Sequence, residues 1–292
     1  MPYNFTHALV GLIAREQVNP TVRALIDAHR GEFLVGTMGP DPYFGDSRPK
    51  PLFVPCREEL AGKLHSLDAR RIFSAMFALS SNDDVLTAYT LGFLCHFLLD
   101  TTAHPYIEAR FPGKEHTPAE IRFDLMMTDR AHVPGVPAPP KVFYRTQNLA
   151  DLDAMHTRLS RDLFNMRTAG AFARGLRKWL FVNTLSYDPD DRKLRFFSRI
   201  EQRLGMPGKF TGFIVAHHPD PDDRLNLAHG AWAAPWDPER IRHESFVDLF
   251  DTACAEAPAL LNAAYTAMRG GDVQPALALI GPRRMDAKPV SD

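Results

Sequence analysis

One stretch limits what this chain can fold into more than any other: Gly92 to Asp124, GFLCHFLLDTTAHPYIEARFPGKEHTPAEIRFD. Its first half is apolar on nearly every side of a helical wheel, with Leu91, Phe93, Leu94, Phe97, Leu98 and Leu99 surrounding three polar residues. A helix of that kind belongs in a core. His96, Asp100 and His104 recur every fourth residue. Each such step turns about 40° around a helix, so the three span an arc of roughly 80° on one face. His116 and Glu120 repeat the spacing on a second segment. Buried imidazoles and carboxylates are costly unless paired, hydrogen-bonded or bound to a cation. One such pair alone reads as a hydrogen bond. Two pairs with His104 between them read as the wall of a metal site, since nitrogen and carboxylate donors suit zinc and related divalent ions.

The rest of the pattern is helical. Apolar spacing predicts helices over 5–28, divided or kinked at Pro20, and over 57–79, 83–103, 149–182, 190–204, 244–270 and 272–280. Pro105 is expected to stop or kink the central one just after His104, and Thr117-Pro118 to open the next. Loops are expected at 36–55, at 133–140 and at 217–238, where proline and glycine gather. No stretch alternates with period two and no repeat occurs. The expected fold is all-α: a single-domain multi-helix bundle over 1–282 with long Pro-rich loops, followed by a disordered tail from 283 to 292.

Composition narrows the class. Hydrophobic residues make up 45%, enough for a large core, and the formal net charge of −1 gives no reason to expect specific nucleic-acid binding. Cys56, Cys95 and Cys254 are far apart and form no CxxC, which suggests reduced thiols and a cytoplasmic protein. The N-terminus lacks a basic run before its short apolar segment, so neither a signal peptide nor a transmembrane segment is expected. The basic residues between Arg158 and Lys178 read as a solvated face, with a phosphate- or membrane-facing surface as the minor reading.

With His7, the GPDPYF turn at 39–44, His65, His96-xxx-Asp100, His104-Pro105 and His116-xxx-Glu120 in view, the chain resembles the zinc-dependent phospholipase C family. The resemblance implies an all-helical fold like that of the fungal single-strand-specific zinc nucleases, and a cluster of two or three zinc ions. By that match His96, Asp100, Asp41 and His65 hold one ion, and His104, His116 and Glu120 a second. His7, with Asp100 bridging, offers a weaker third, and Asp41 matches the family's general base. Manganese and iron suit the same donors. The implied activity is hydrolysis of a small phosphodiester or a phospholipid by metal-activated water, with peripheral membrane contact.

Three further residues are read from their positions. Tyr43 and Phe44 follow Asp41 directly and either line the substrate mouth or pack in the core. Asp124, one turn beyond Glu120, either orients a histidine ligand or is an ordinary surface carboxylate. Asn226, His229 and Trp232 are read as packing their loop onto the domain. Two other functions compete. An HD-type metal phosphohydrolase needs an adjacent His-Asp dipeptide, which does not occur. A non-catalytic, metal-stabilised helical binding protein would not need every candidate ligand position filled by a competent donor.

Overall fold

The computed structural model describes residues 4–47, 56–133, 140–216 and 222–290. Parts of the three expected loops, at 48–55, 134–139 and 217–221, lie outside the described residues, as do His217 and His218. Fourteen helices and a single two-stranded ribbon are found among the described residues, an all-α fold. In order the helices are α1 (Asn4–Gln17), α2 (Pro20–Ala28), α3 (Arg30–Gly36), α4 (Pro42–Gly45), α5 (Glu59–Ser66), α6 (Ala69–Leu79) and α7 (Asp84–Arg110). Then come α8 (His116–Ala131), α9 (Pro140–Phe143), α10 (Leu149–Phe164), α11 (Ala171–Ser186) and α12 (Arg192–Leu204). The ribbon of β1 (Trp232–Ala234) and β2 (Asp237–Arg242) precedes α13 (Phe246–Met268) and α14 (Gln274–Ile280).

α7 is the axis of the molecule. Asp83 caps it, accepting from the Leu86 N–H at 2.9 Å. From Thr87 to Asp100 every residue is buried, and α1, α3 and α13 pack around it. Its length and apolarity would suffice to cross a membrane, yet its most apolar window is 78% buried inside the protein, as a core helix is. The helix continues through Pro105 to Arg110, so of the expected stop or kink the stop does not occur. Proline forfeits one backbone hydrogen bond in a helix interior. Here Pro105 and its neighbours Tyr106 and Ile107 are buried, so tertiary packing holds the continuation.

Two glycines let α3 cross α7 backbone to backbone. A Cβ on Gly36 would lie 2.1 Å from the Tyr89 carbonyl oxygen, and one on Gly92 2.0 Å from that of Phe33. Neither site admits a side chain without separating the helices. The crossing delivers the chain after α3 onto the middle of α7, where the ligand residues are. α4 is seated in the same way against α11, since a Cβ on Gly175 would lie 2.2 Å from the Pro42 carbonyl oxygen.

Three expectations need correction. The segment 149–182 is two helices, α10 and α11, separated at Gly170, whose φ of +74° favours glycine. The 217–238 turn region continues into the antiparallel ribbon, which the sequence concealed because Pro235 and Pro238 break any alternation. The tail is placed through residue 290 rather than disordered: Met285 is fully buried, and the Asp286 N–H donates to the His65 carbonyl at 3.2 Å. The loop before α13 is tied down by Asn226, which donates to the Gly230 carbonyl at 3.0 Å and accepts from the Gly230 N–H at 3.0 Å. Trp232 adds an Nε1–H bond to the Glu244 carbonyl at 2.9 Å and an edge contact with Tyr106.

Candidate metal centre

His96 and Asp100 lie one turn apart on α7, both fully buried, with His96 Nε2 and Asp100 Oδ2 3.0 Å apart. His96 Nδ1 faces the Thr37 carbonyl at 3.3 Å. That contact assigns the ring proton to Nδ1 and leaves the Nε2 lone pair aimed inward. Gly39 makes the approach possible. Its φ is +53°, and a Cβ there would sit 2.2 Å from the His96 ring.

The turn after Gly39 carries Asp41, which is buried. His65, near the end of α5, donates from Nδ1 to the Ala61 carbonyl at 2.7 Å. Its Nε2 lies 3.6 Å from Asp41 Oδ1 and 3.3 Å from Asp100 Oδ2. His7 on α1 brings Nε2 to 3.4 Å from Asp100 Oδ1, and its ring stacks on that of His96 at 4.2 Å. One turn along α7, His104 Nδ1 contacts the Met285 carbonyl at 3.0 Å, which directs Nε2 away from the backbone. His116 opens α8, with Nε2 2.8 Å from Glu120 Oε1.

Donor atoms within 4.8 Å of one another form three sets: His7, His96 and Asp100; Asp41, His65 and His96; and His104, His116 and Glu120. All eight expected ligand residues are therefore brought together, with His96 shared between two sets. Both His7 nitrogens, Asp41 Oδ1, His65 Nε2, His96 Nε2 and both Asp100 oxygens are buried with no hydrogen-bond partner. Such orphaned groups are rare in folded proteins and costly to leave unmet. Divalent cations would satisfy them together, so the residues fit zinc.

The electrostatics agree with that use. Burial pushes His104 and His116 down to about 3 and holds His7 well below its ordinary value, so these imidazoles are neutral and able to donate a lone pair. Burial also lowers His96, but Asp100 and Asp41 outweigh it and raise that ring overall. Burial lifts the Asp41 carboxyl to about 6, partly opposed by His96 and His65. For Asp100 burial acts upward, yet His96 and His104 beside it hold the carboxyl well below the usual range.

A cavity of about 450 Å³ is lined by Asp41 and His65 and by His104, His116 and Glu120. Phe44 and Trp179 wall it, their rings 6.4 Å apart. His7, His96 and Asp100 are not among its lining residues. The profile of the family described as zinc dependent phospholipase C matches residues 6–170, more than half the chain and every one of the eight donors. The chain belongs to that family. Comparison with curated proteins and with solved structures returns no match. Membership of the family supports a zinc-dependent hydrolase in outline.

The remaining expected residues divide. Phe44 lines the cavity, whereas Tyr43 is fully buried in the core, its hydroxyl 3.2 Å from His156 Nδ1. Asp124 neither touches a histidine nor lies on the surface. It is buried and accepts from Phe5 N–H at 3.0 Å, Thr6 N–H at 2.8 Å and Thr6 Oγ1 at 2.7 Å, anchoring the start of α1 just before His7. Burial raises its carboxyl to about 7 against those donors. Sequence reading missed Glu108, whose Oε1 lies 3.5 Å from His116 Nδ1, although it sits at i+4 from His104. It also missed the wall residue Trp179, which carried no signal, and the backbone of Met285. The basic run is not a free surface throughout: Arg174 binds Asp46 at 3.1 Å and Lys178 the Ser47 carbonyl at 3.0 Å.

Proposed function

We propose that the chain is a phospholipase C-type phosphodiesterase that carries two zinc ions facing the cavity and a third at His7, His96 and Asp100. The observation that carries this reading is that members of two donor sets, Asp41 and His65 with His104, His116 and Glu120, line one cavity walled by Phe44 and Trp179. Zinc bound at these residues would supply a lowered pKa for water and positive charge against phosphate oxygens. The protein supplies the rest. Asp41 lines the cavity on a turn fixed between Gly39 and Pro42, and its buried Oδ1 has no hydrogen-bond partner. It is placed to hold the attacking water or take its proton. Phe44 and Trp179 would bind the organic part of the ester and exclude bulk water.

The test is a panel of chromogenic phosphodiesters, including the phosphocholine ester of p-nitrophenol, assayed with zinc-loaded protein and Asp41→Asn. Hydrolysis is expected from the wild type, and a loss of at least about a hundredfold in kcat from the variant at equal zinc occupancy. No hydrolysis of any diester by protein with a full metal complement would sink the reading.

A further inference from the structure

We infer that α12 and the turn after it form a docking surface for an anionic lipid bilayer, set beside the mouth of the metal cavity. α12 is amphipathic but buries its apolar face only in part, with Leu194, Phe197 and Ile200 half-buried. The residue it buries is the carboxylate Glu201, while Phe196 and Leu204 are 59% and 57% exposed. Phe210, whose ring lies 5.7 Å from that of Phe197, and Phe213 are also exposed, as are Phe181, Val182 and Leu185 on α11. Soluble proteins seldom gather so many exposed large apolar side chains unless the patch meets something.

Charge identifies the occupant. Between Arg192 and Lys209 there are six cations and one carboxylate, on a chain whose formal net charge is −1. Glu201 does not offset them at the surface, because its carboxylate accepts from Gly208 N–H at 3.0 Å, Thr211 N–H at 2.8 Å and Thr211 Oγ1 at 2.7 Å. Arg199 and Arg203 stand exposed on the helix. At helical spacing the exposed Phe196 and Leu204 lie beside Arg199 and Arg203, so α12 presents apolar and basic side chains together, as suits a bilayer interface. The basic residues complement anionic headgroups.

The surface is built in advance. The excursion leaves and returns at one point, where Asp188 N–H meets the Val215 carbonyl at 2.9 Å and Val215 N–H the Ser186 carbonyl at 3.1 Å. The Asp188 carboxylate caps α12 through Arg192 N–H at 3.1 Å and Leu194 N–H at 2.8 Å. Val215 packs on Ile121 and Leu125 of α8, the helix that carries His116 and Glu120. Gly212 faces Pro118, next to Thr117 at the cavity mouth. Docking through α12 would therefore bring that mouth to the lipid surface. This deepens the phosphodiesterase reading by naming a membrane as the place where substrate is met, and to that extent rests on it.

The experiment is flotation of the full, zinc-loaded chain with vesicles of phosphatidylcholine alone and of phosphatidylcholine with phosphatidylglycerol. A soluble chromogenic phosphodiester is assayed in parallel. Wild type is expected to float with the anionic vesicles and to be released by high salt. Each near-surface cation contributes about fivefold, so Arg199→Glu with Arg203→Glu should weaken partition at least about 25-fold. Phe196→Ser with Leu204→Ser should weaken it about tenfold or more. Neither pair should change hydrolysis of the soluble diester. Flotation without such hydrolysis would support docking and count against the catalytic reading alone. Wild type that stays with the protein fraction, or variants that float unchanged, would overturn the docking surface. So would a wild-type dimer that the patch variants convert to monomer, which would assign the face to a second copy of the chain.

Discussion

The carbonyl of Met285 accepts a hydrogen bond from Nδ1 of His104, 181 residues earlier, at 3.0 Å. The next residue, Asp286, donates its N–H to the carbonyl of His65. The C-terminal segment thus braces one histidine from each of the two donor sets that face the cavity. The Met285 contact fixes the His104 ring, and losing an outer partner of that kind typically costs 10- to 100-fold in metal affinity.

Ending the chain at Arg283 should therefore weaken zinc binding by about that factor, most at the His104, His116 and Glu120 set. Met285→Ala removes a buried side chain but keeps the carbonyl, so it should lower stability by about 2–5 kcal/mol while leaving zinc affinity nearly intact. Zinc titration against a competing chelator measures both. Equal affinities for wild type and the truncated chain would show that the tail is packing alone.

Asp124 should control the set at His7 from a distance. Three donors at the start of α1 converge on its carboxylate. Asp124→Ala would strand them in the core, at about 1–3 kcal/mol for each buried donor left unmet. The first turn of α1 should then fray and His7 leave Asp100. Elemental analysis should show the loss of about one ion per chain where three are bound, with the cavity-facing pair retained. Unaltered stoichiometry would leave Asp124 as a helix anchor with no bearing on metal.

The whole centre should be held open at a cost to stability when metal is withdrawn. Seven buried donor atoms on five residues of α1, α5, α7 and the Asp41 turn lack hydrogen-bond partners. Treatment with a strong chelator should lower the melting temperature, and added zinc should restore it. A tenfold excess of zinc over its dissociation constant corresponds to about 1.4 kcal/mol per site. Superimposable melting curves with and without bound zinc would be incompatible with these groups forming a metal site.

How much of this was legible in the sequence follows from where each signal resides. Side chains at i, i+4 and i+8 announce a helix face, so the donors of α7 and α8 could be read directly. Pro105 does not end α7, because a local breaking tendency of about 3 kcal/mol is outweighed inside a fully packed helix. Gly36 and Gly92 act through what a side chain would strike on another helix, which no local pattern encodes. Met285 and Asp286 act through backbone groups, and a carbonyl is the same in every residue. Tyr43 and Phe44 adjoin each other on α4 and point opposite ways, one into the core and one to the cavity, a difference set only by how α4 meets α11.

His156 gives the pH prediction, away from the metal donors. Its ring stacks on Phe172 at 3.9 Å, with Nε2 2.6 Å from the Tyr89 hydroxyl and Nδ1 3.2 Å from that of Tyr43. Burial holds its pKa down to about 3, against an ordinary value of 6.5. Above pH 6.5 the ring is neutral in both folded and unfolded chains and contributes no pH dependence. Between 6.5 and about 3 the unfolded chain binds a proton that the folded chain refuses, so stability falls as pH falls, by about 1.4 kcal/mol per unit from this group. His156→Gln lacks the titrating group but also the ring stack, and should be less stable than wild type at pH 8 by about 1–3 kcal/mol. As pH drops below 6 the difference between the two proteins should shrink by about 1.4 kcal/mol per unit. Urea unfolding of both metal-free proteins from pH 8 to 4 measures it. A difference that stays constant across that range would mean that His156 accepts a proton in the folded core, contrary to its burial between two tyrosines.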